Sequence, residues 1–238
     1  MQNRVLITGA SRGLGLVLAR ALATEGWELI IDARGERDLR VGADELRELT
    51  TVHATSGDIA DESHRRELVA MVDALGGGLD LLVHNASLLG PSPQPPLADY
   101  PLDVLERVYV ANVFAPLHLT QLLLPRMGPD ARIISITSDA GVEPYEGWGG
   151  YGSSKAALEQ WTRVLAAEHP ELRVYVVDPG DMRTRMHQDA FPGEDISDRP
   201  PPEASVPGLL RIIEGDLPSG RYEARTLVPA HVSTGGAP

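Results

Sequence analysis

The sequence predicts an α/β fold, a doubly wound parallel sheet of about seven strands within a single domain that covers residues 1–238. Short apolar runs alternate along the whole chain with longer segments whose apolar residues recur at helical spacing. Strands that alternate with helices in this way build parallel sheets. A glycine-rich turn after the first apolar run marks the first strand–helix junction. The length of 238 residues suits one large sheet, and no repeat or linker divides the chain.

Glycines and caps mark the elements of the first half of the chain. Gly9 ends the first strand, and Gly26 stops the helix that follows it. Asp61 caps a later helix, which three consecutive glycines terminate. The predicted strands here are 5–7, 27–31, 51–54 and 79–83, and the predicted helices are 14–24, 44–49 (weak) and 61–75.

Prolines and glycines divide the second half. Five prolines in 91–101 exclude a regular element and predict a surface loop, and four glycines and a proline predict a mobile loop at 139–150. The polar, proline-rich segment 181–202 is expected to be irregular. The predicted strands are 131–137, 172–177 and an edge strand 221–227, and the predicted helices are 102–127, 151–168 and 207–214.

Composition excludes several function classes. The 42% hydrophobic and 23% charged residues match globular averages and argue against intrinsic disorder. The chain has no cysteine, which excludes a disulfide scaffold, a thiolate metal site and a cysteine nucleophile, and we expect no metal. A net charge of −13 disfavours nucleic acid. We found no basic leader with a long apolar stretch and no run of eighteen apolar residues, so we expect a cytoplasmic protein without a membrane partner.

The glycine-rich turn is the first functional signal. Residues 8–15 read Thr-Gly-Ala-Ser-Arg-Gly-Leu-Gly, between the first strand and the first helix. Glycines allow a tight turn and bring the N–H groups of the helix start against a pyrophosphate. A tight turn without a ligand would look similar. Three residues separate the first two glycines, whereas the commoner dinucleotide fingerprint has one.

This spacing resembles that of the short-chain dehydrogenase/reductase family, in its ordinary single-domain branch, and the resemblance spans nearly the whole chain. Further motifs follow in the family's order: Asp58-Ile59, His84-Asn85-Ala86-Ser87, Asn112, Ser138, Tyr151 with Lys155, and Pro179-Gly180 with Thr184. The resemblance implies a Rossmann-type fold that binds a nicotinamide dinucleotide and transfers hydride directly. It implies a catalytic set of Asn112, Ser138, Tyr151 and Lys155, and cofactor contacts from Gly9, Ser11, Arg12, Gly13, Leu14, Gly15, Arg34, Asp58, Ile59, Asn85, Ala86, Ser87, Tyr151, Lys155, Pro179, Gly180, Met182 and Thr184.

The end of the second strand bears on which dinucleotide is bound. Counted from Gly9 as in the family, the place of the acid that holds the ribose of NAD falls on Ala33, with Arg34 next to it. Side chains alternate along a strand, so Asp32 should point away from the ribose. Arg12 offers a second guanidinium, and planar guanidiniums suit phosphate oxygens. These residues favour NADP(H); the alternative is that Asp32 turns inward and binds NAD.

The catalytic set gives the lone lysine a role. Lys155 is the only lysine among 21 basic residues, and it lies four residues after Tyr151 on one face of a predicted helix. An ammonium about 4 Å away supplies roughly the 4 kcal/mol that brings a phenol's pKa down by about 3 units. Ser138 is expected to hydrogen-bond a substrate carbonyl oxygen, and in the family the asparagine at the position of Asn112 helps to hold a water beside the lysine. A packed tyrosine beside a solvated lysine is the alternative.

The chain departs from the family pattern at two positions. His84 replaces the first asparagine of its motif and Ser87 replaces the glycine. We interpret His84 as a packed histidine rather than a base. The effect of Ser87 on the nearby loop is open, because a serine must reach the backbone angles that glycine adopts.

Two loops are expected to line the substrate pocket. The candidates are Asp139, Glu143, Tyr145 and Trp148 from the first loop, and Met182, Met186, His187 and Phe191 from the second. We predict an NADPH-dependent reductase of a small carbonyl compound, with a homodimer or homotetramer implied by the resemblance. An NAD(P)-dependent alcohol dehydrogenase, a 3-oxoacyl thioester reductase (for which Arg183 and Arg185 leave room) and a non-catalytic dinucleotide sensor are the alternatives.

Overall fold

Seven parallel strands form one sheet in the computed structural model, which describes residues 2–227. The strands are β1 (Arg4–Ile7), β2 (Glu28–Ala33), β3 (Val52–Ser56), β4 (Leu79–His84), β5 (Met127–Ile136), β6 (Arg173–Asp178) and β7 (Gly220–Glu223). Their order is β3-β2-β1-β4-β5-β6-β7, with parallel pairing throughout. The chain winds outward from β1 to β3 and then returns beside β1, which creates the switch point where such sheets bind ligands. The predicted doubly wound, Rossmann-type sheet is confirmed.

Helices cover both faces of the sheet. They are α1 (Gly13–Thr24), α2 (Glu36–Arg47), α3 (Glu62–Ala74), α4 (Leu102–Tyr109), α5 (Ala115–Leu123), α6 (Gly149–Glu168), α7 (Arg185–Ala190) and α8 (Val206–Glu214). Side chains alternate along each strand, so Val5 and Ile7 join one core with α1, α2 and α8, whereas Leu6 joins the other with α3, α5 and α6. The two cores hold the carboxyl ends of the strands at one edge.

Two predicted elements, one in each half of the chain, begin earlier in the structure than the sequence predicts. Helix α2 begins at Glu36 rather than at residue 44. Its buried residues Leu39, Ala43 and Leu46 recur at helical spacing, but charged residues surround Leu39 and hide the pattern in the sequence. Strand β5 begins at Met127 rather than at residue 131, with an irregular register opposite the start of β4.

The long helix predicted at 102–127 is interrupted. A π-helical segment, Val110–Phe114, separates α4 from α5, and a 3₁₀ turn ends the run at Arg126. The segment Leu102–Arg126 is long and apolar enough to cross a membrane, with a mean hydropathy of 1.3, but half of that window is buried inside the protein. A core helix of a globular domain passes the same test. The π-helical segment carries Asn112.

Two corrections concern the C-terminal part. The segment 181–202, expected to be irregular, contains α7, whose N-terminal residue Thr184 accepts a hydrogen bond from His187 N. The edge strand predicted at 221–227 is shorter, because β7 ends at Glu223 and a 3₁₀ turn follows. Ala224 turns inward and packs on Gly208 of α8, which ends the extended conformation.

Candidate active site

The glycine turn between β1 and α1 lets a ligand come close to its backbone. Gly9 and Gly13 have positive φ angles of 69° and 56°. A Cβ on Gly15 would lie 2.5 Å from Asn85 Nδ2 and 2.6 Å from the Gly9 carbonyl oxygen, so only glycine fits there. The side chain of Arg12 makes no capping hydrogen bond to α1. The turn and the N–H groups at the start of α1 therefore fit a pyrophosphate group.

Thr8 and Asn85 brace this turn. The Thr8 hydroxyl accepts hydrogen bonds from Asn85 N and Ala86 N, both at 3.1 Å, and donates to the Val83 carbonyl oxygen. The Asn85 amide donates to the carbonyl oxygens of Thr8 and Gly9, at 2.9 and 3.0 Å. Sequence reasoning did not select Thr8 as a site residue, although it opens the glycine motif.

Asp32 is engaged inside the protein. It is 1% exposed, and it accepts hydrogen bonds from Gly9 N at 2.8 Å and from His64 Nε2 at 3.0 Å. Burial raises the pKa of Asp32, and the contact with Asp32 raises the pKa of His64. One carboxylate oxygen thus holds the glycine turn and the other holds α3. His64 lies 32 residues from Asp32, so sequence spacing gave no sign of this pair.

The two candidate phosphate-binding arginines are exposed. The Ala10 N–H donates to the Asp32 carbonyl oxygen at 2.8 Å, which places the turn of Arg12 against the end of β2 that leads into Arg34. The Arg34 side chain is 61% exposed, and its Nη1 lies 3.9 Å from Asp58 Oδ2. Arg12 is exposed as well. Both guanidiniums are accessible to a ligand at this edge of the sheet.

The two residues of the motif after β3 have different surroundings: Asp58 lies in a turn, and Ile59 lies in the core. Asp58 Oδ1 accepts a hydrogen bond from Ala60 N at 2.9 Å. Ile59 is buried, and its carbonyl oxygen accepts a hydrogen bond from Arg65. The backbone after β3 is therefore fixed close to Arg34.

Tyr151 and Lys155 are both buried on α6. Lys155 Nζ lies 5.5 Å from the centroid of the Tyr151 ring and donates to the Ile136 carbonyl oxygen at 2.8 Å. Burial lowers the pKa of Lys155 to about 8, and the nearby Glu159 opposes that change. Burial raises the pKa of Tyr151, and a hydrogen bond with Ser87 acts in the opposite direction.

The expectation that Lys155 alone makes Tyr151 acidic is therefore wrong for this chain. Desolvation raises the pKa of the Tyr151 phenol by more than its neighbours lower it. The Lys155 ammonium is itself desolvated, which lowers the pKa of Lys155. Tyr151 thus keeps its proton at neutral pH.

Ser138 lies at the end of the fifth strand, on the wall of a cavity. Its hydroxyl donates to Asp139 Oδ1 at 2.9 Å and accepts a hydrogen bond from Ala140 N at 3.2 Å. The other oxygen of Asp139 accepts a hydrogen bond from the Tyr145 hydroxyl at 3.0 Å. Asp139 therefore sets the direction of the single Ser138 proton.

The side chain of Asn112 clamps the loop after β4. Its amide oxygen accepts hydrogen bonds from Leu88 N at 2.7 Å and Ser87 Oγ at 3.2 Å. Its amide nitrogen donates to the Leu88 carbonyl oxygen at 2.9 Å and to Ser154 Oγ at 3.0 Å. An amide has two donors and two lone pairs, so this side chain is fully used in joining the loop to α6.

The two departures from the family pattern have different surroundings. His84 is 4% exposed, shares a 2.7 Å hydrogen bond with Thr120 Oγ1 and packs edge-on against Trp161. Burial lowers the pKa of His84 to about 3, so it is neutral at physiological pH, and its interpretation as a packed histidine is confirmed. Ser87, in contrast, donates to Asn112 Oδ1 at 3.2 Å and lies close enough to Tyr151 to lower the pKa of that phenol.

A cavity of about 530 Å³ brings part of the predicted site together, whereas Asn112, Lys155, Arg34, the glycine turn and residues 85–87 lie outside its lining. Its walls include Ser138, Tyr151, Pro179, Gly180, Met182 and Thr184. A Cβ on Gly13 would lie 3.6 Å from Thr184 Cγ2, so this wall touches the glycine turn. The cavity and the turn are therefore neighbouring parts of one site.

Most of the predicted pocket residues line this cavity. These are Asp139, Tyr145, Trp148, Met182, Met186, His187 and Phe191. Glu143 is exposed and does not line the cavity, because the loop turns after Asp139 and presents Glu146 instead. Arg183 and Arg185 also lie outside the lining. Arg183 donates to the Ser197 carbonyl oxygen, and Arg185 lies near Asp189.

A buried carboxylate supports the catalytic helix from behind. Glu159 is 3% exposed and accepts hydrogen bonds from Thr137 Oγ1 at 2.8 Å and Arg221 Nε at 3.2 Å. Arg221 also contacts Asp178 Oδ2, at 3.3 Å. This network ties α6 to the ends of β5, β6 and β7. Sequence reasoning missed it because its members lie far apart along the chain.

Comparison with known proteins agrees with this geometry. The family model described as short chain dehydrogenase matches residues 3–195. The chain is 34% identical over 203 residues to benzil reductase ((S)-benzoin forming) of Saccharomyces cerevisiae, covering 79% of this chain and 75% of that protein.

Two solved structures show the same architecture with a cofactor bound. A short chain dehydrogenase from Shigella flexneri 2a, complexed with NADP, is 31% identical with a TM-score of 0.87, covering 94% of this chain and 97% of the other. One from Escherichia coli CFT073, complexed with NADPH, is 30% identical with a TM-score of 0.85, covering 94% and 96%. The matching model, the sheet order and the arrangement of Ser138, Tyr151 and Lys155 lead to one conclusion: this chain belongs to the short-chain dehydrogenase family and is an oxidoreductase that uses a nicotinamide dinucleotide.

Proposed function

We propose that this protein reduces a ketone or an aldehyde to an alcohol with NADPH, and that Tyr151 donates the proton. The observation that carries the proposal is the placement of a buried phenol, Tyr151, on the wall of a cavity that adjoins the glycine turn. A carbonyl reductase needs both parts side by side, because the proton and the hydride reach the same carbonyl group.

The residues around the turn support the phosphorylated cofactor. Asp32 is 1% exposed, and its carboxylate faces Gly9 N and His64 inside the protein rather than the surface where a ribose would lie. Arg12 and Arg34 are exposed and suited to a phosphate group. The two cofactor-bound relatives described above carry NADP and NADPH.

The geometry of the glycine turn is consistent with a bound dinucleotide. A Cβ on Gly15 would clash with Asn85 Nδ2 and the Gly9 carbonyl oxygen, so only glycine allows this close turn, and the start of α1 lacks a side-chain cap. The turn residues would hold the pyrophosphate, and Asn85, Ala86, Ser87, Pro179, Gly180 and Thr184 would surround the nicotinamide end. When bound, NADPH supplies the hydride that adds to the carbonyl carbon.

The side chains of the site supply the rest of the chemistry. Tyr151 keeps its proton at neutral pH, because burial raises its pKa, and it can transfer that proton to the oxygen as the carbon accepts the hydride. Ser138 orients the carbonyl oxygen by turning its hydroxyl from Asp139 toward it. Lys155 is cationic below pH of about 8 and stabilises the phenolate that remains on Tyr151. The alcohol product carries one hydride and one proton more than the substrate.

Loss of NADPH absorbance with a panel of ketones and aldehydes tests the proposal. For Tyr151→Phe we expect a fall in kcat of about 10²- to 10⁴-fold, the usual contribution of a general acid, with NADPH affinity unchanged. Wild-type protein that binds NADPH tightly but reduces no carbonyl compound would favour the sensor alternative. A fully active Tyr151→Phe variant would exclude Tyr151 as the proton donor.

We also propose that the protein assembles as a homodimer or homotetramer through α4, the π-helical segment and α6. Three large apolar side chains are exposed there: Leu102 (77%), Phe114 (57%) and Val164 (43%). Burying them in a second copy removes apolar surface from water. Sedimentation velocity measures the oligomeric state of the wild type and of Phe114→Glu, and we expect the variant to be more dissociated. A wild type that is monomeric at micromolar concentration would exclude the proposed assembly.

A further inference from the structure

A row of aromatic rings extends from the catalytic phenol along the cavity wall. The Trp148 ring lies 5.8 Å from the Tyr151 ring and 5.9 Å from the Phe191 ring. The His187 ring lies 4.9 Å from Phe191 at its far side. Rings at these separations make favourable edge and tilted contacts, and they present flat apolar surfaces to a ligand.

The remaining wall is apolar or acidic. Leu89, Met182, Met186 and Ala190 add aliphatic surface, and methionine side chains adapt to ligand shape. Four carboxylates line the cavity: Asp139, Glu146, Asp178 and Asp181. Among the lining residues that the structure describes, none is lysine or arginine, and His187 is the one basic side chain.

Cations lie close to two of the four lining carboxylates, Asp178 and Asp181. Asp178 is close to Arg221, whereas Asp139 is held by the neutral groups of Ser138 and Tyr145. Asp181 lies 3.6 Å from Arg199 and 3.9 Å from His187 Nδ1, and Arg225 donates to its carbonyl oxygen. Lys155 lies next to Tyr151. Within residues 2–227, Asp139 and Glu146 form no ion pair, so an anionic group on a substrate would meet the negative charge of these two carboxylates, which solvent screens in part.

We infer that this site takes neutral aryl carbonyl compounds of one or two rings and rejects carbonyl compounds that carry an anionic group. The inference rests on the proposed reductase activity and specifies its substrate class. A cavity of about 530 Å³ lies within the usual range for sites that enclose a ligand of this size. The same charges disfavour thioesters on phosphorylated carriers, because no guanidinium or ammonium of the lining residues would pair with the carrier.

A matched series of methyl ketones tests the charge part of the inference. The probes are 4-acetylbenzamide (neutral), 4-acetylbenzoate (anionic) and 4-acetylbenzylamine (cationic), which share one ring and one reacting carbonyl group. We expect kcat/KM for the benzamide to exceed that for the benzoate by at least about tenfold, the size of one partly screened like-charge contact. Equal values for the benzamide and the benzoate would overturn the inference.

Charge-neutralising variants show which carboxylates lower kcat/KM for the benzoate. Asp181→Asn combined with Glu146→Gln is expected to raise kcat/KM for the benzoate severalfold relative to kcat/KM for the benzamide. Glu143→Gln is the matched control, because Glu143 lies on the same loop but outside the cavity. An equal gain for the benzoate in the control would mean that only the overall charge matters, and the inference would fail.

The aromatic part has its own test. We expect 4-acetylbenzamide to be reduced with at least about tenfold higher kcat/KM than butanone, and Trp148→Leu and Phe191→Leu each to narrow that ratio. A thermal unfolding curve shows whether each variant is folded. Trp148 and Phe191 lie on different segments of the chain, so one variant still tests the inference if the other does not fold.

The outcomes separate the inference from the proposed function. Reduction of butanone but not of aryl ketones, with a loss in Tyr151→Phe, would leave the reductase proposal standing and overturn the inference. Reduction of none of these probes, nor of the wider carbonyl panel, would remove the proposed function itself.

Discussion

The glycine turn and the catalytic cavity have opposite arrangements of charge. At the turn the anion Asp32 is 1% exposed, and the cations Arg12 and Arg34 are on the surface. At the cavity the cation Lys155 is 3% exposed, and carboxylates such as Asp181 face solvent. In both regions the buried charge is hydrogen-bonded to backbone groups, which it fixes in place. We expect the exposed charges to be the ones that select what binds.

Removing the buried anion of the turn tests the first half of this comparison. For Asp32→Ala we expect a loss of about 3 kcal/mol in the free energy of unfolding, because Gly9 N and His64 Nε2 lose their buried acceptor. NADPH affinity should fall as well, since the turn loses its support. Urea unfolding and a fluorescence titration with NADPH measure the two effects.

Two controls sharpen this prediction. Asp32→Asn keeps an oxygen that can accept the Gly9 N–H, so it should cost less than Asp32→Ala. Asp44→Asn alters an exposed carboxylate on α2 and should change stability by less than about 0.5 kcal/mol. If Asp32→Ala were no more costly than Asp44→Asn, the buried pair would have no structural role.

The exposed cations of the turn should instead affect ligand choice. Combining Arg34→Asp with Arg12→Ala is expected to weaken NADPH binding by about ten- to a hundredfold, because two charge-assisted contacts to a phosphate are lost. NADH binding should be little changed and stability nearly unchanged, since both side chains are exposed. The ratio of the two dissociation constants is the measurement. Unchanged NADPH affinity would show that these arginines do not bind the phosphate.

The sequence predicted the parts of this molecule whose signals are local. The glycine spacing and the four-residue step from Tyr151 to Lys155 depend on neighbours along the chain, and these features have the expected places in the sheet. The predicted bounds of elements were wrong where tertiary packing decides where an element begins, as at the start of α2 and in the short helix α7.

Electrostatics was the least predictable property. Lys155 follows Tyr151 by one helical turn as expected, yet the depth of burial reverses the predicted direction of the Tyr151 pKa. The pair of Asp32 and His64 and the contacts of Glu159 join residues that are distant in sequence. Burial and long-range contacts both require the folded chain, so no motif could have indicated them.

The buried cation of the cavity predicts a pH dependence. Burial lowers the pKa of Lys155 to about 8, so the side chain is charged below that pH and neutral above it. If its charge stabilises the phenolate, kcat/KM for reduction should be level below pH 8 and fall about tenfold per pH unit above it. Glu159 raises the pKa of Lys155, so Glu159→Gln should move the fall to lower pH. A profile that stays level to pH 10 would contradict a role for the ammonium.

The smallest expected effect concerns Ser87, where the cavity departs from its family's pattern. To favour the phenolate formed after proton donation, the Ser87 hydroxyl would turn from Asn112 Oδ1, to which it donates, toward the Tyr151 oxygen, and such a contact lowers the pKa of Tyr151. Ser87→Ala should therefore lower kcat for reduction about fivefold, the effect of one net hydrogen bond of about 1 kcal/mol, with NADPH affinity unchanged. Ser153→Ala is the matched control, because that hydroxyl donates to the Gly150 carbonyl oxygen. An equal loss in both variants would mean that Ser87 only supports the local fold, whereas a loss in Ser87→Ala alone would place its hydroxyl in the proton transfer.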